Sequence, residues 1–188
     1  SAEDPTGEET SSEEPTSEDP TGEDPEEPEE PVRELRRDEN GDLWYYVDGE
    51  KDETFTGVFR FNEKTYYIEK GKWNSSYQGF ASSDEKKYFI KNGLCDESYT
   101  GLKLYNKKYY YLENGVLNKN AVTLAQINGK GDWFFVQDGT RNLKKNGVVK
   151  YKGKIRLVQK GKWNKEYSGF YQKGKKWYYF KKGTQDLS

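Results

Sequence analysis

Short runs of apolar and aromatic residues recur along the chain, each closed by a turn glycine: WYYV, YYI, YFI, YYYL, WFFV, IRLV and WYYF. The glycines that follow are Gly49, Gly71, Gly93, Gly115, Gly139, Gly161 and Gly183, at steps of 22, 22, 22, 24, 22 and 22 residues. Runs this short and this rich in aromatic and β-branched residues, each ending in DG, KG or NG, predict strands that close in tight turns. A unit of this size cannot bury its own apolar face, so a fixed period predicts stacking of neighbours. The expected architecture is all-β, a solenoid of about seven stacked ~22-residue β-hairpin repeats.

Alternation within the runs assigns faces. The last apolar residue of each (Val47, Ile68, Ile90, Leu112, Val136, Val158, Phe180) is expected on the core side. The residue before it (Tyr46, Tyr67, Phe89, Tyr111, Phe135, Leu157, Tyr179) is expected to face the other way. Two positions earlier still, Trp44, Thr65, Lys87, Tyr109, Trp133, Ile155 and Trp177 form a column that includes a lysine, so part of it is expected in solvent. Three residues past each turn glycine stands Asp or Asn: Asp52, Asn74, Asp96, Asn118, Asn142, Asn164 and Asp186. A side chain of this type at a turn closes onto the backbone, and that reading is preferred to a cation ligand.

A longer repeat overlies the short one. EKGKWNSSYQGF at 69–80 and QKGKWNKEYSGF at 159–170 share eight of twelve positions. The approaches LRRDENGDLWYYV and LAQINGKGDWFFV share Leu, Gly, Asp, Trp and Val. The expected organisation is a first set of four hairpins at 32–123 and a second set of three at 124–188, with Ala121 and Thr123 marking an irregular fourth repeat.

Composition separates the first 31 residues from the rest. They hold fourteen Asp and Glu, all six prolines, no Lys or Arg and no aromatic residue. Such a segment buries too little to offset ordering entropy, which predicts a disordered acidic Pro-rich linker at 1–31. The remainder carries all 31 basic and 19 acidic residues, and all thirty aromatic ones. With no His and a single Cys, the usual catalytic constellations cannot be assembled, so no enzyme, no metal site and no cofactor are expected. Cys95 is expected to be a half-buried, inert thiol. No apolar run is long enough for a membrane span. The positive domain and its aromatic residues raise nucleic acid as a partner, but the lysines sit at strand ends in EKK, NKK and GKK, and no nucleic-acid partner is expected.

The pattern NGDLWYYVDG, NKKYYYLENG and GKKWYYFKKG, followed each time by a Gly-apolar step, resembles the cell-wall-binding, choline-binding-like repeat superfamily. Glucan-binding repeats and the short repeats of clostridial toxins are similar. The resemblance implies hairpins that bind ligands between them against aromatic side chains, in a secreted or cell-surface protein. Choline-binding members carry Gly-Trp at the step, whereas this chain has Gly57-Val58, Gly79-Phe80, Gly101-Leu102, Gly147-Val148 and Gly169-Phe170. The expected partner is therefore a glycan or cell-wall polysaccharide, with sugar C–H faces stacked on aromatic rings. A structural spacer or protein-binding adhesin is the alternative. Candidate ligand-binding residues are Trp73, Tyr77 and Phe80, their twins Trp163, Tyr167 and Phe170, and Trp44, Trp133 and Trp177. Arg156, which replaces an aromatic residue in its column, is expected to lie against Phe134 or Tyr178.

Overall fold

Gly57–Phe61 runs antiparallel to Lys64–Glu69, and the chain then turns back as the short strand Lys72–Trp73. Both turns contain two residues at positive φ: Asn62 and Glu63 at 45° and 63°, then Lys70 and Gly71 at 51° and 76°. Paired positive φ defines the type I′ turn, whose twist matches that of the flanking strands. The sequence reading locates the second turn but not the first. Three copies of the first (Asn62-Glu63, Asp84-Glu85, Asn106-Lys107) contain no glycine and rely on the tolerance of Asn and Asp for this region. Each repeat is thus a hairpin followed by a two-residue third strand. The structure, a computed structural model, is all-β over the residues it describes, 29–188. The linker expected over 1–31 lies outside them except for its last three residues.

The third strand holds the stack together. It pairs with the aromatic strand of the preceding repeat at Trp44↔Lys72, Tyr66↔Leu94, Tyr88↔Val116, Tyr110↔Thr140, Phe134↔Lys162 and Arg156↔Thr184. Beside each pair a turn-glycine carbonyl accepts the N–H of Tyr45, Tyr67, Phe89, Tyr111, Phe135 or Leu157 at 2.7–3.0 Å. The approach leaves no room for a side chain. A Cβ on Gly71, Gly93, Gly115, Gly139, Gly161 or Gly183 would fall within 3.0 Å of the Asp or Asn carbonyl oxygen in the turn below, while Gly49, with no repeat beneath it among the described residues, meets nothing.

These same bonds correct the register of repeat one. Val47 lies two residues before its glycine, whereas Ile68 and its five successors lie three before theirs. Tyr45, not Tyr46, therefore aligns with Tyr67 and Phe89, and Trp44 aligns with Tyr66 rather than Thr65. A one-residue slip moves a strand's side chains to the opposite face. Val47 is accordingly only half-buried, whereas Ile68, Ile90, Leu112, Val136, Val158 and Phe180 are at most 1% exposed.

The opposite face is not open either. Phe135 and Leu157 are buried, and Tyr67 stacks on Tyr77 at 3.7 Å. Each hairpin covers its successor with this second face. Leu157 of repeat six, for example, packs with Tyr178 and Phe180 of repeat seven. Both columns are apolar because every interior repeat lies between two others.

The turn Asp and Asn close onto the backbone as expected. Asp52, Asn74, Asn118, Asn142, Asn164 and Asp186 accept the N–H two residues on, and Asp96 accepts the Ser98 hydroxyl. The 24-residue step is a bulge: Gln126 pairs with Trp133 and Ile127 with Lys130, so two residues are looped out around Gly131. Among the described residues, no helix is long and apolar enough to cross a membrane.

Candidate functional site

The duplicated stretch serves the stack. Lys72 pairs with Asp42 of the preceding repeat at 2.6 Å, and its twin Lys162 pairs with Asp132 at 2.6 Å. Trp73 donates its indole N–H to the Gly93 carbonyl at 3.0 Å, and Trp163 donates to Gly183 at 2.9 Å. The shared Asp of the two long approaches and the shared Lys of the duplicated motif are thus partners in one bridge to the preceding repeat, made twice, while the shared Trp bonds the turn of the repeat that follows.

Seven of the nine candidate residues lie within junctions. Trp73 meets Tyr66 edge to face at 5.8 Å. Tyr77 stacks on Tyr67 and donates its hydroxyl to the Phe80 carbonyl at 2.9 Å; burial raises its phenol above the usual range. Tyr167 makes the same bond to Phe170. Phe80 sits edge to face among Phe89, Tyr105 and Tyr110 at 5.2–5.3 Å. The Trp163 ring is covered by the Arg156 guanidinium at 4.8 Å and the Lys165 ammonium at 5.0 Å. Arg156 was expected against Phe134 or Tyr178; it turns instead to the ring on its own third strand, while Arg141 lies over Phe134 at 5.1 Å. Trp44 donates to Asp38 at 2.9 Å beneath the Lys51 ammonium, 3.8 Å from its ring. Trp133, with Tyr111 and Tyr151, lines a cavity of about 210 Å³.

Phe170 and Trp177 are different. They are 69% and 59% exposed, and with Tyr179, 42% exposed, they form an open aromatic surface on the last hairpin. Phe170 lies 6.5 Å from Trp177 and 5.1 Å from Tyr179. Antiparallel pairing sets Phe170 opposite Tyr179, which fixes the rings as one patch. Lys173, Lys175, Lys176, Lys181 and Lys182 of the same hairpin are all exposed. The twins Phe80 and Phe170 are therefore not equivalent, since Tyr105 and Tyr110 of the next repeat cover only the first. Sequence reasoning missed Tyr179; the signal was its place in the second-face column, on a hairpin with no described repeat after it.

The junction of repeats three and four holds the second aromatic assembly. There the Lys103 ammonium lies 5.6 Å from the Phe89 centroid and 5.1 Å from that of Tyr99. Burial raises the Tyr99 phenol above the usual range, and its hydroxyl donates to the Leu102 carbonyl at 2.6 Å, which holds the ring beside Lys103. No curated protein matches the chain. The two repeats that frame this lysine do have a counterpart: residues 76–96 and 98–118 each match the choline-binding repeat family.

Proposed function

We propose that this protein is a non-catalytic wall-binding module, secreted or at the cell surface, that holds a glycan or cell-wall polysaccharide on the aromatic patch of its last hairpin. The observation that carries the reading is the exposure of Phe170, Trp177 and Tyr179 side by side. Contiguous exposed rings of this kind mark an interaction surface, whereas single exposed apolar residues do not. A pyranose offers flat C–H faces to such rings, and the surrounding lysines add attraction for anionic wall polymers. The match of two repeats to the choline-binding repeat family supports the wall as the target. The division into sets at 32–123 and 124–188 belongs to the same reading, with the patch on the second set. Of the nine candidate residues, Phe170 and Trp177 would touch ligand, and the other seven would build the stack that presents them.

The test is retention of the full chain on purified cell-wall polysaccharide, with a glycan array to name the sugar. Trp177→Ala and Phe170→Ala should each weaken retention at least tenfold while leaving the unfolding midpoint in place. Full retention by a folded double variant would reject the patch as the site.

A further inference from the structure

Where the end of a hairpin meets the third strand of the next repeat, an outer groove separates them. Ion pairs join the two repeats there at three of the six seams. Asp42 pairs with Lys72 and Asp132 with Lys162, each at 2.6 Å. Arg60 pairs with Glu97 at 2.6 Å, and the Thr65 hydroxyl donates to the same carboxylate. At a fourth seam, between repeats four and five, the Arg141 guanidinium lies 4.0 Å over the Tyr109 ring. Among the described residues, no ion pair joins the repeats at the remaining two. The groove there measures about 740 Å³ between repeats three and four and about 760 Å³ between six and seven, against about 360 Å³ at the Asp132–Lys162 seam.

The two open grooves differ in charge. The first is lined by Arg60, Lys86 and Lys119 against Glu85, Glu97 and Glu113, so its charges cancel. The second is lined by Lys150, Lys154, Lys181 and Lys182 against Asp186 alone. One source of the contrast is the turn before the third strand, Glu113-Asn114 in repeat four and Lys181-Lys182 in repeat seven. All four lysines are exposed, and among the described residues none makes an ion pair. Asp186 is occupied locally, accepting the Ser188 N–H at 3.0 Å and the Ser188 hydroxyl at 2.6 Å. The rest of the lining includes Ile155, Thr184 and Leu187. Like charges converging on a concave surface raise its potential and draw in ions of the opposite sign. A lysine is a point charge on a flexible stem, suited to anions spaced along a chain rather than to one fixed carboxylate fork.

We propose that the groove between repeats six and seven binds a linear polyanion, its phosphate or carboxylate groups held by Lys150, Lys154, Lys181 and Lys182 and its carbon backbone lying along Ile155. None of Phe170, Trp177 and Tyr179 lines this groove. Only the choice of a wall polymer as the natural source rests on the reading above.

Inorganic polyphosphate and polygalacturonate, titrated against the full chain at about 0.15 M salt, where remote charges are screened, test the site. Lys150→Gln/Lys154→Gln and Lys181→Gln/Lys182→Gln should each weaken binding about tenfold, the loss of two charge contacts. Lys86→Gln/Lys119→Gln removes the same charge from the neutral groove and should change affinity less than about twofold. Trp177→Ala should keep polyanion binding, and the lysine variants should keep retention on neutral wall glycan, so failure of one site is distinguishable from failure of the other. The polymer that binds more tightly names the anionic group. Equal weakening by all three lysine pairs, binding of neither polymer, or tighter binding of oligo(dT) would overturn the proposal.

Discussion

Trp73 and Gly93 are joined by a 3.0 Å hydrogen bond from indole to carbonyl, and the same carbonyl accepts the backbone N–H of Tyr67 at 2.9 Å. The indole thus reinforces the seam between two repeats. Trp73→Ala should remove that bond together with packing against Leu35, Tyr45 and Ile68, at a cost of about 2–4 kcal/mol. Trp163→Ala should behave alike. Both variants, where folded, should keep wall binding. Trp177→Ala should show the opposite, with stability changed by less than about 0.5 kcal/mol and binding weakened. Urea unfolding alongside wall retention reads both quantities, and a stable Trp73→Ala that no longer binds would move the ligand site to the seam.

Glycine substitutions should separate conformational strain from close approach. Gly49 and Gly93 have similar positive φ, 84° and 71°. A Cβ on Gly49 meets open space, whereas on Gly93 it would strike the Asn74 carbonyl and the Trp73 indole. Gly49→Ala should cost about 1–2 kcal/mol, the price of a left-handed residue. Gly93→Ala should cost more than about 3 kcal/mol, because backbone atoms must separate and the seam bonds lengthen. Equal unfolding midpoints for the two variants would contradict this account of the period.

The period, the glycine turns and the Asp and Asn of the next turn were legible in the sequence because each rests on local chemistry repeated seven times. What lay beyond it was relational. Val47 looks like Ile68 when apolar residues are matched, and only the inter-repeat bond from Tyr45 to Gly71 reveals the one-residue slip. The role of Lys72 required knowing that Asp42 lies within 2.6 Å of it. The contrast between Phe80 and Phe170 depends on which repeat covers each, a fact that two nearly identical local sequences cannot carry.

Cys95 occupies the slot of Trp73 and Trp163, and its thiol points at the Gly115 carbonyl, 3.6 Å away. Burial, with help from Glu97 and Asp96, pushes the thiol up to about 12. The folded protein should therefore react slowly with a thiol reagent at pH 8, and quickly once unfolded. The linkage has a definite sign. The unfolded chain releases this proton near the ordinary thiol value while the folded chain holds it, so the thiol's contribution to stability is intact below about pH 9 and declines from there towards pH 12. Several half-buried tyrosines are raised for the same reason, so the wild type alone cannot isolate the thiol. Cys95→Ala should lose less stability than the wild type between pH 8 and pH 10.5. Parallel pH profiles for the two proteins would refute the assignment.

Arg156 stands where the aligned strands carry Trp44, Tyr66, Tyr88, Tyr110, Phe134 and Tyr178. Its guanidinium lies 4.8 Å over Trp163, yet Nε and Nη1 are buried with no hydrogen-bond partner among the described residues. Burial pulls the group below the usual arginine range. The cation–π contact returns about 0.5–2 kcal/mol, while donors left unsatisfied in the interior cost about 1–3 kcal/mol. Repeat two shows the alternative, since Tyr66 meets Trp73 edge to face at 5.8 Å in the twin position. An aromatic pair of that kind contributes about 0.5–1.5 kcal/mol and leaves no buried charge. Arg156→Tyr should therefore stabilise the fold by about 1–2 kcal/mol, seen as a higher urea midpoint at unchanged m-value. A lower midpoint would mean that the guanidinium is worth more in this junction than the ring its twin repeat uses.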